Sequence, residues 1–554
     1  MTDRAQWSFV VGGCALLLAV VLQVPQLLYS MQPASHGVLV HLNSDEYQYL
    51  ARVEEVLTGR PEQAAQPYVG DPYVSGMHFA LIEQAEGLLF RRTGWRAATV
   101  AQVMDSVIPC LLFLVLFAFF RLAGFSRPRS LAGVFLFVLP LLYSLNRPIH
   151  QRESFLLVLV TLLLLITAVE RKNVFAALGG GVMLGVLFGV YLWAWMFAWI
   201  YAALLLLWEL VMWWSRRRSV PLLRSRVGAL VLALCVGVIV AVSFLLSILR
   251  SMRNPLYAEM AFRQGMHFTH LPESWIYSVL FLLMSVVLLC AHRKYAELQG
   301  AKRYAILFPV AVVIAINQQI VHGQVIAFTS HFTFAIALAS VCVFLLSTQR
   351  FRPVLLLTLG ASALMIAAIT WDNRPVLTQF AIRPSRFSEQ HFATLLPVLD
   401  RMPRTRILSD SETSAFISSS TQHDIVMSIY LESAFLTHEE IAERVCLGFL
   451  PIAPAERRIG EQMHLVWPDA DAANRSTALT AGRGTDVRER EVRMVQEACQ
   501  KLDRDPAGAL QKYGVQYVLW DERRHPEWDV RRLKVPLVKV GEDQGNWVLY
   551  RIEQ

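Results

Sequence analysis

Long apolar runs recur through the first two thirds of the chain, and sequence of ordinary mixed polarity follows residue 371. A helix needs about 20 apolar residues to cross a bilayer, and runs of roughly this length with few charges are typical of membrane-spanning helices. The pattern therefore predicts a polytopic α-helical membrane protein with about eleven spans. The runs lie near residues 7–29, 99–120, 130–145, 154–169, 174–190, 191–214, 227–249, 275–291, 304–319, 332–347 and 353–371.

Composition and charge agree with this interpretation and add an orientation. Of 554 residues, 55% are hydrophobic and 17% are charged, and the mean hydropathy is +0.43. Basic residues gather in alternate short loops, which places those loops and the N-terminus in the cytoplasm and the region after the last span outside the cytoplasmic membrane. The net charge of +8 is mostly this bias, so no nucleic-acid partner is expected. The basic loop residues are Arg121, Arg127, Arg129, Arg171, Lys172, Arg216, Arg217, Arg218, Arg224, Arg226, Arg293, Lys294, Lys302, Arg303, Arg350 and Arg352.

The two kinds of sequence predict two domains, a membrane core over residues 1–371 and an extracytoplasmic α/β domain over residues 372–554. In the second domain, strand-like runs alternate with helical patterns, and the run 537–552 predicts a hairpin. Cys446 and Cys499 lie in this domain, and the sequence leaves open whether they form a disulfide. The strand-like runs are 406–408, 425–429, 515–520 and 547–552, and the helical patterns include 437–447 and 487–502.

Two adjacent carboxylates stand soon after the first span, near the start of a long outer loop over residues 30–98. Ionised side chains near a bilayer tend to line functional cavities, so Asp45 and Glu46 are candidates for an active site. Ser44 can cap a helix whose first turn holds both acids, and the helix dipole would favour their ionised forms. The plainer interpretation is an ordinary helix start.

The surroundings of the acidic pair favour the functional interpretation. Apolar residues at Tyr47, Leu50, Val53 and Leu57 predict an amphipathic helix, and residues 77–90 predict another. Helices of this kind lie along a membrane surface, where they would shape a site at the lipid boundary.

The acidic pair is followed by Tyr49, Ala51-Arg52 and Leu57-Thr58-Gly59. This pattern resembles the first-loop signature of GT-C glycosyltransferases, especially the branch of protein O-mannosyltransferases and of the aminoarabinose transferases that act on lipid A. The resemblance extends through residues 73–95, and the stretch 185–195 is similar to one in oligosaccharyltransferase catalytic subunits. Roughly the first 350 residues are covered.

The resemblance implies transfer of a sugar from a polyprenyl-phosphate carrier to a lipid, glycan or protein acceptor on the outer side of the membrane. It assigns the catalytic carboxylate to Asp45, with Glu46 orienting the acceptor or the base. The chemistry needs a carboxylate to accept the proton of the attacking hydroxyl and cationic or hydrogen-bonding groups to receive the departing phosphate.

Polar side chains in the other outer loops are candidates for binding the donor phosphate or sugar. Arginine suits phosphate through its planar fork, which favours Arg147 and Arg263 as ligands of the leaving group. Outer-loop arginines also contact lipid headgroups, and polar residues at the end of a span also bind a neighbouring helix. The donor-binding candidates are Arg147, Arg152, Arg263, His267, His270, Asn317, Gln318, His322 and His331.

Metal dependence is left open by the sequence. Asp45 and Glu153 would be the ligands of Mg²⁺ or Mn²⁺ in an oligosaccharyltransferase-like site, yet Gln151 stands where a further acid would help and Arg152 would repel a cation. A metal-independent reaction without a cofactor is therefore expected. His267 and a histidine three residues later could ligate zinc, but no third ligand is evident.

Two alternatives accompany this hypothesis. The first is a metal-dependent, oligosaccharyltransferase-like enzyme that glycosylates protein. The second is a transporter or a non-catalytic membrane protein. Transporters usually carry ionisable or broken-helix sites near mid-span, whereas the polar residues of this chain concentrate in outer loops.

Overall fold

The structure is a computed structural model that describes most of the chain. The described residues are 3–42, 45–64, 79–145, 150–215, 226–264, 266, 269–272, 274–294, 302–348, 353–428, 430–431, 434–459 and 487–553. They form two compact units. Unit 1 comprises residues 1–25, 102–247 and 270–381, and unit 2 comprises residues 26–101, 248–269 and 382–554.

All eleven apolar runs predicted from the sequence are helical. Nine helices in the described part of the chain are long and apolar enough to cross a membrane, and two shorter apolar helices cover residues 174–189 and 275–291. This is the architecture of a polytopic α-helical membrane protein. Three helices run through both units' residue ranges: α1 (Asp3–Ser30), α4 (Ala97–Leu122) and α10 (Arg226–Met252). The others of unit 1 are α5 (Arg127–Val138), α6 (Leu142–Leu145), α7 (His150–Arg171), α8 (Val174–Val186), α9 (Leu192–Ser215), α12 (Trp275–Lys294), α13 (Arg303–Ile316), α14 (Gln319–His322), α15 (Thr333–Ser347), α16 (Pro353–Asp372) and α17 (Val376–Gln379).

Three glycines spaced by four residues let α8 and the turn after it approach α10 closely. A Cβ atom at Gly181 would meet the carbonyl oxygen of Ala233, and one at Gly185 would lie 2.5 Å from the Cβ atom of Val240. A Cβ atom at Gly189 would collide with the ring of Phe244. Small residues at this spacing permit close backbone contact between helices in a membrane, where dispersion rather than the hydrophobic effect holds helices together.

A network of charged and hydroxyl groups joins the ends of four helices in unit 1. Glu170, at the end of α7, accepts hydrogen bonds from Arg303 at 2.6 Å, from Tyr304 at 2.6 Å and from Arg226 at 3.2 Å. Arg303 also lies 3.2 Å from Glu209 of α9. The network therefore gathers the ends of α7 and α9 with the beginnings of α10 and α13.

Unit 2 is built on a five-stranded mixed sheet in the order β2-β1-β3-β5-β4. β2, β1 and β3 are parallel, and β4 and β5 form the antiparallel hairpin that the sequence predicts. The strands are β1 (Arg406–Leu408), β2 (Asp424–Ile425), β3 (Tyr517–Trp520), β4 (Leu537–Asp543) and β5 (Trp547–Ile552). The helices are α2 (Glu46–Leu57), α3 (Leu81–Phe90), α11 (Tyr257–Arg263), α18 (Leu396–Arg401), α19 (Ser411–Ser420), α20 (His438–Phe449), α21 (Val487–Leu502) and α22 (Pro506–Lys512).

A disulfide joins Cys446 of α20 to Cys499 of α21, with the two Cα atoms 5.2 Å apart. Both helices pack on the sheet through a single apolar core that includes Val445, Val495 and Val518. The disulfide that the sequence left open is therefore present in the structure.

The compact units divide the chain differently from the predicted domains, because the segment around residues 30–98 packs with the C-terminal sheet in unit 2. α2 contacts α3 and α19, and a Cβ atom at Gly87 would collide with Val56. Nearly every side chain of α2 is buried, including those of Arg52 and Glu54. The sequence predicts a surface helix with one apolar face, whereas α2 is enclosed on most of its circumference.

Candidate active site

The acidic pair stands at the beginning of α2, in unit 2. Asp45 occupies the N-cap position and makes no capping bond with its side chain, and the helix itself begins at Glu46. The predicted cap, Ser44, lies outside the described residues. The buried side chain of Glu46 accepts a hydrogen bond from the backbone N–H of Leu42 at 3.0 Å. Glu46 therefore fixes the turn that leads into the helix, and Asp45 is the more exposed of the two carboxylates.

A cluster of three polar side chains lies beside this turn, two of them buried and the third, Tyr47, partly buried. The Nδ1 atom of His41 lies 2.9 Å from Oε2 of Glu389, and the hydroxyl of Tyr47 donates a hydrogen bond to Oε1 of the same carboxylate. The rings of His41 and Tyr47 stack with their centroids 4.1 Å apart. Glu389 therefore binds the imidazole of His41 and the phenol of Tyr47, which precede and follow Glu46 in the sequence.

Burial and charge shift the pKa values of this cluster in a consistent way. Burial alone lowers the pKa of His41, but the hydrogen bond to Glu389 and the charges of Glu389 and Glu46 outweigh it, so the pKa is raised. Burial alone raises the pKa of Glu389, but the bonds from His41 and Tyr47 outweigh it, so the pKa is lowered. Burial and the neighbouring Glu389 raise the pKa of Tyr47 well above its ordinary value. The preferred state is an ion pair with a neutral phenol.

Two arginines border the cluster. Arg386 donates a hydrogen bond to the carbonyl oxygen of His41 at 2.6 Å. The positive charge of Arg524 acts on both Glu389 and Tyr47, where it favours the ionised form of each. Both arginine side chains are partly exposed, so the border of the cluster offers cationic groups that a substrate can reach.

Further acids are buried along α2. Burial raises the pKa of Glu54 to about 7, although its Oε2 atom accepts a hydrogen bond from the N–H of Ala97 at 2.9 Å. Burial likewise raises the pKa of Glu55 to about 8, against the effect of Arg404. Arg52 lies 3.3 Å from Glu83, and both side chains are almost fully buried. These groups stiffen the helix that carries the acidic pair.

Two of the predicted donor-binding arginines are buried, and the hydrogen bonds described for them are to other groups of the protein. Arg152 is fully buried in unit 1 and donates to the carboxylate of Asp105 and to the carbonyl oxygen of Leu145. Arg263 is fully buried in unit 2 and donates to the carbonyl oxygens of Ala434 and Leu436, at 2.6 and 2.9 Å. Both arginines thus join separate segments of their own unit. Two further donor-binding candidates, Arg147 and His267, lie outside the described residues.

The remaining donor-binding candidates lie in unit 1, and four of the five are at the end of α13 or beside α14. His270 contacts the carbonyl oxygen of Ile320 at 3.0 Å through Nδ1, and Asn317 donates to Ser278 at 2.7 Å. The amide of Gln318 is buried, and among the described residues it has no hydrogen-bond partner. The other two members are His322, whose Nδ1 atom accepts from the N–H of Gln324, and His331, which packs against Tyr191 and Phe328.

Of the two residues that the sequence offers as metal ligands, Glu153 lies next to a buried cation. Oε1 of Glu153 lies 3.7 Å from Nε of Arg152, a buried cation that would repel a divalent ion. Within the described residues, no group of three or more histidine, cysteine, aspartate or glutamate side chains is arranged to hold a metal ion. We derive no step through a metal.

The local sequence does not mark several residues of this cluster and its border as functional. His41 and Glu389 are 348 residues apart, and nothing in either local sequence indicates the other. Arg386 and Arg524 stand in ordinary mixed sequence. No protein-family model matches the chain, and no curated protein matches it.

Proposed function

We propose that the protein is a membrane glycosyltransferase that moves a sugar from a polyprenyl-phosphate carrier to a lipid, glycan or protein acceptor outside the cytoplasmic membrane. The observation that carries this proposal is the position of Asp45. It is a partly exposed carboxylate at a helix start, set beside the cluster of His41, Tyr47 and Glu389. A carboxylate held in this way suits proton acceptance from an attacking hydroxyl.

Each neighbour of Asp45 then has a role. Glu46 bonds the turn that precedes the helix and Glu389 bonds the ring of His41, so we assign both as positioning residues. Arg386, against the His41 carbonyl, is the cation available to the departing phosphate. Preorganised donors of this kind stabilise charge that develops in the transition state, and they are frequently the largest contribution to catalysis.

Two observations support the proposed orientation. The network around Glu170 and Arg303 gathers the ends of four helices that the charge pattern assigns to the cytoplasmic side. The disulfide between Cys446 and Cys499 is typical of a domain in an oxidising compartment, which fits a C-terminal sheet outside the membrane.

Labelling with a membrane-impermeant maleimide tests the proposed orientation. Lys172→Cys should react only from the cytoplasmic side and Glu62→Cys only from outside, and the reverse would refute the orientation.

Transfer is tested directly with the full chain in proteoliposomes. Radiolabelled sugars on polyprenyl phosphate are supplied with membrane lipids and with peptide acceptors, and labelled product is separated from donor. The proposal predicts product with at least one donor and acceptor, and activity that survives a chelator. Activity that a chelator abolishes and Mn²⁺ or Mg²⁺ restores would favour metal-dependent protein glycosylation instead. No product from any donor would contradict the proposed function.

A further inference from the structure

The parallel part of the sheet has a point at which its connections diverge. The chain leaves β1 through α19 and returns as β2 on one side, whereas it leaves β3 toward the hairpin of β4 and β5 on the other side. In open α/β sheets, ligands bind outside the carboxyl ends of the two strands at such a point. In this sheet the two strands are β1 and β3.

Acidic residues follow both strands at this edge. Asp410 comes two residues after β1 and caps α19 by accepting from the N–H groups of Glu412 and Thr413, at 3.0 and 2.9 Å. Asp521 comes directly after β3 and accepts from His391 at 3.0 Å and from the N–H of Arg524 at 3.1 Å. Asp410 is 6% exposed and Asp521 is fully buried.

Four side-chain atoms at this edge have no hydrogen bond with a described residue, although Nε of Arg524 lies 4.0 Å from one of them, Oδ2 of Asp521. They are Oδ2 of Asp410, Oδ2 of Asp521, Oγ1 of Thr413 and Nη1 of Arg524, and all four are buried. A buried polar atom left without a hydrogen bond is destabilising, and such atoms are rare in native proteins. Four of them on two adjacent loops indicate that this edge is shaped for a ligand.

The same four atoms define the chemistry of the ligand. Two carboxylate oxygens accept hydrogen bonds, the guanidinium donates, and the Thr413 hydroxyl does either. A phosphate would bring its charge against two buried carboxylates, whereas neighbouring hydroxyls of a sugar both donate and accept. We propose that the carboxyl ends of β1 and β3 bind a sugar residue. This inference rests on the proposed function and adds the place where unit 2 recognises a glycan.

The site has a route to solvent through the loop that follows β3. Arg524 also donates to Glu412, and Nε2 of His525 lies 3.4 Å from Oδ1 of Asp410, so two contacts join the loop after β3 to α19 and its cap. The side chains of Arg524 and His525 are 19% and 23% exposed. A sugar can therefore approach from this side and exchange these contacts for its own hydroxyls.

The test measures binding, not transfer. Methyl glycosides of mannose, glucose, galactose, N-acetylglucosamine and arabinose are titrated against the full chain in nanodiscs, by saturation-transfer NMR. Asp410→Asn and Asp521→Asn keep one acceptor oxygen, so the helix cap and the bond to the Arg524 N–H persist. Thr413→Val removes only a hydroxyl that has no described partner, so its thermal stability should equal or exceed that of the wild type. Asp529→Asn is the matched control, because Asp529 pairs with the exposed Arg531 and, like Asp410, caps a helical turn.

We expect the wild type and Asp529→Asn to bind at least one glycoside equally. Binding should weaken about tenfold or more in the two aspartate variants and about threefold to tenfold in Thr413→Val. Competition by a polyprenyl-phosphate sugar identifies the ligand as the sugar of the donor, and a lack of competition identifies it as the sugar of the acceptor. No binding by the wild type, or equal binding by all variants, overturns the inference.

The outcomes separate this site from the proposed reaction. Asp45→Asn should bind glycosides like the wild type while it loses transfer. Binding without transfer in the wild type would contradict the proposed function and leave the sugar site standing. Transfer without binding, or transfer unaffected by the three variants, would remove the sugar site alone.

Discussion

The Nδ1 atom of His41 lies 2.9 Å from Oε2 of Glu389, and together the two residues connect the segment after α1 to the segment that leads into the C-terminal sheet. Both side chains are more than nine-tenths buried. A buried pair of this kind is held by its geometry, because each partner left alone would be a charged group without solvent. The pair therefore fixes the turn that carries Asp45.

Removing the charge of Glu389 should destabilise unit 2 and lower the pKa of His41. Glu389→Gln leaves the imidazole buried without its counter-ion, and breaking a buried pair costs about 3 kcal/mol or more. The raised pKa of His41 stabilises the fold below about pH 6.5 and is lost as the pH rises through the folded value, and the lowered pKa of Glu389 stabilises it above about pH 4.5. The unfolding temperatures of the wild type and Glu389→Gln should therefore differ most between these two pH values.

The exposed Glu62, in the segment that carries His41, supplies the control for this variant. Glu62→Gln should change the unfolding temperature little at any pH, because an exposed carboxylate contributes little and the charge of Glu62 is the smallest of the effects on the buried Glu55. An unfolding temperature of Glu389→Gln equal to that of Glu62→Gln would show that the pair does not stabilise the turn.

Glu54 should make stability fall as the pH rises. Its folded pKa of about 7 is above the ordinary value of 4.5, so the folded state holds a proton that the unfolded state releases, and stability declines as the pH rises from 4.5 toward 7. Glu54→Gln keeps an acceptor for the N–H of Ala97 and has no charge to bury. From pH 5 to pH 8, the free energy of unfolding of Glu54→Gln should rise by about 2 kcal/mol relative to that of the wild type. Calorimetry that gave the same difference at both pH values would contradict this.

The disulfide should account for a large share of the stability of unit 2. Cys446 and Cys499 close a loop of 53 residues, for which the chain-entropy argument gives about 4 kcal/mol. The double variant Cys446→Ser, Cys499→Ser should unfold at a lower temperature than the wild type under oxidising conditions. A reductant should lower the wild-type temperature to that of the double variant and leave the double variant unchanged. Sensitivity of the double variant to reductant would point to other cysteines.

Replacement of two glycines in α8 by alanine should have opposite effects. Alanine normally stabilises a helix relative to glycine by about 1 kcal/mol, and the nearest atom to a Cβ at Gly179 is 3.6 Å away, on Leu164. Gly179→Ala should therefore be neutral or stabilising. Gly185→Ala would place a Cβ atom 2.5 Å from that of Val240 and should destabilise unit 1 by about 1–3 kcal/mol. Thermal unfolding in detergent compares the two, and equal effects would contradict the close packing of α8 on α10.

The elements of the fold follow largely from local sequence. The apolar runs predict the helices because their length and hydrophobicity are local properties, and β1, β5 and α21 begin and end where the sequence places them. α2 was harder to predict. Its apolar positions suggest one buried face, but Arg52 and Glu54 on other faces are buried too, through partners at Glu83 and Ala97 that only the tertiary structure supplies.

The candidate site was predictable only in part. The acidic pair is visible in the sequence because two adjacent carboxylates near a span are unusual. His41 is recognisable as part of the site only through its contact with Glu389, which lies in another part of the chain. Asp410 and Asp521 each follow a predicted strand, but their proximity depends on β1 and β3 being neighbours, and the order of strands in a sheet is not a local property.

The most direct test of the account is the transfer activity of Asp45→Asn beside that of Glu62→Gln, with both proteins in proteoliposomes and the same polyprenyl-phosphate sugar. Asparagine has nearly the shape of aspartate but cannot accept the proton of the acceptor hydroxyl. The account predicts that Asp45→Asn loses about 100-fold or more of the rate, the scale of general base catalysis, with an unchanged unfolding temperature. Glu62→Gln should transfer like the wild type. Equal rates for the two variants would contradict the assignment of Asp45 as the catalytic carboxylate.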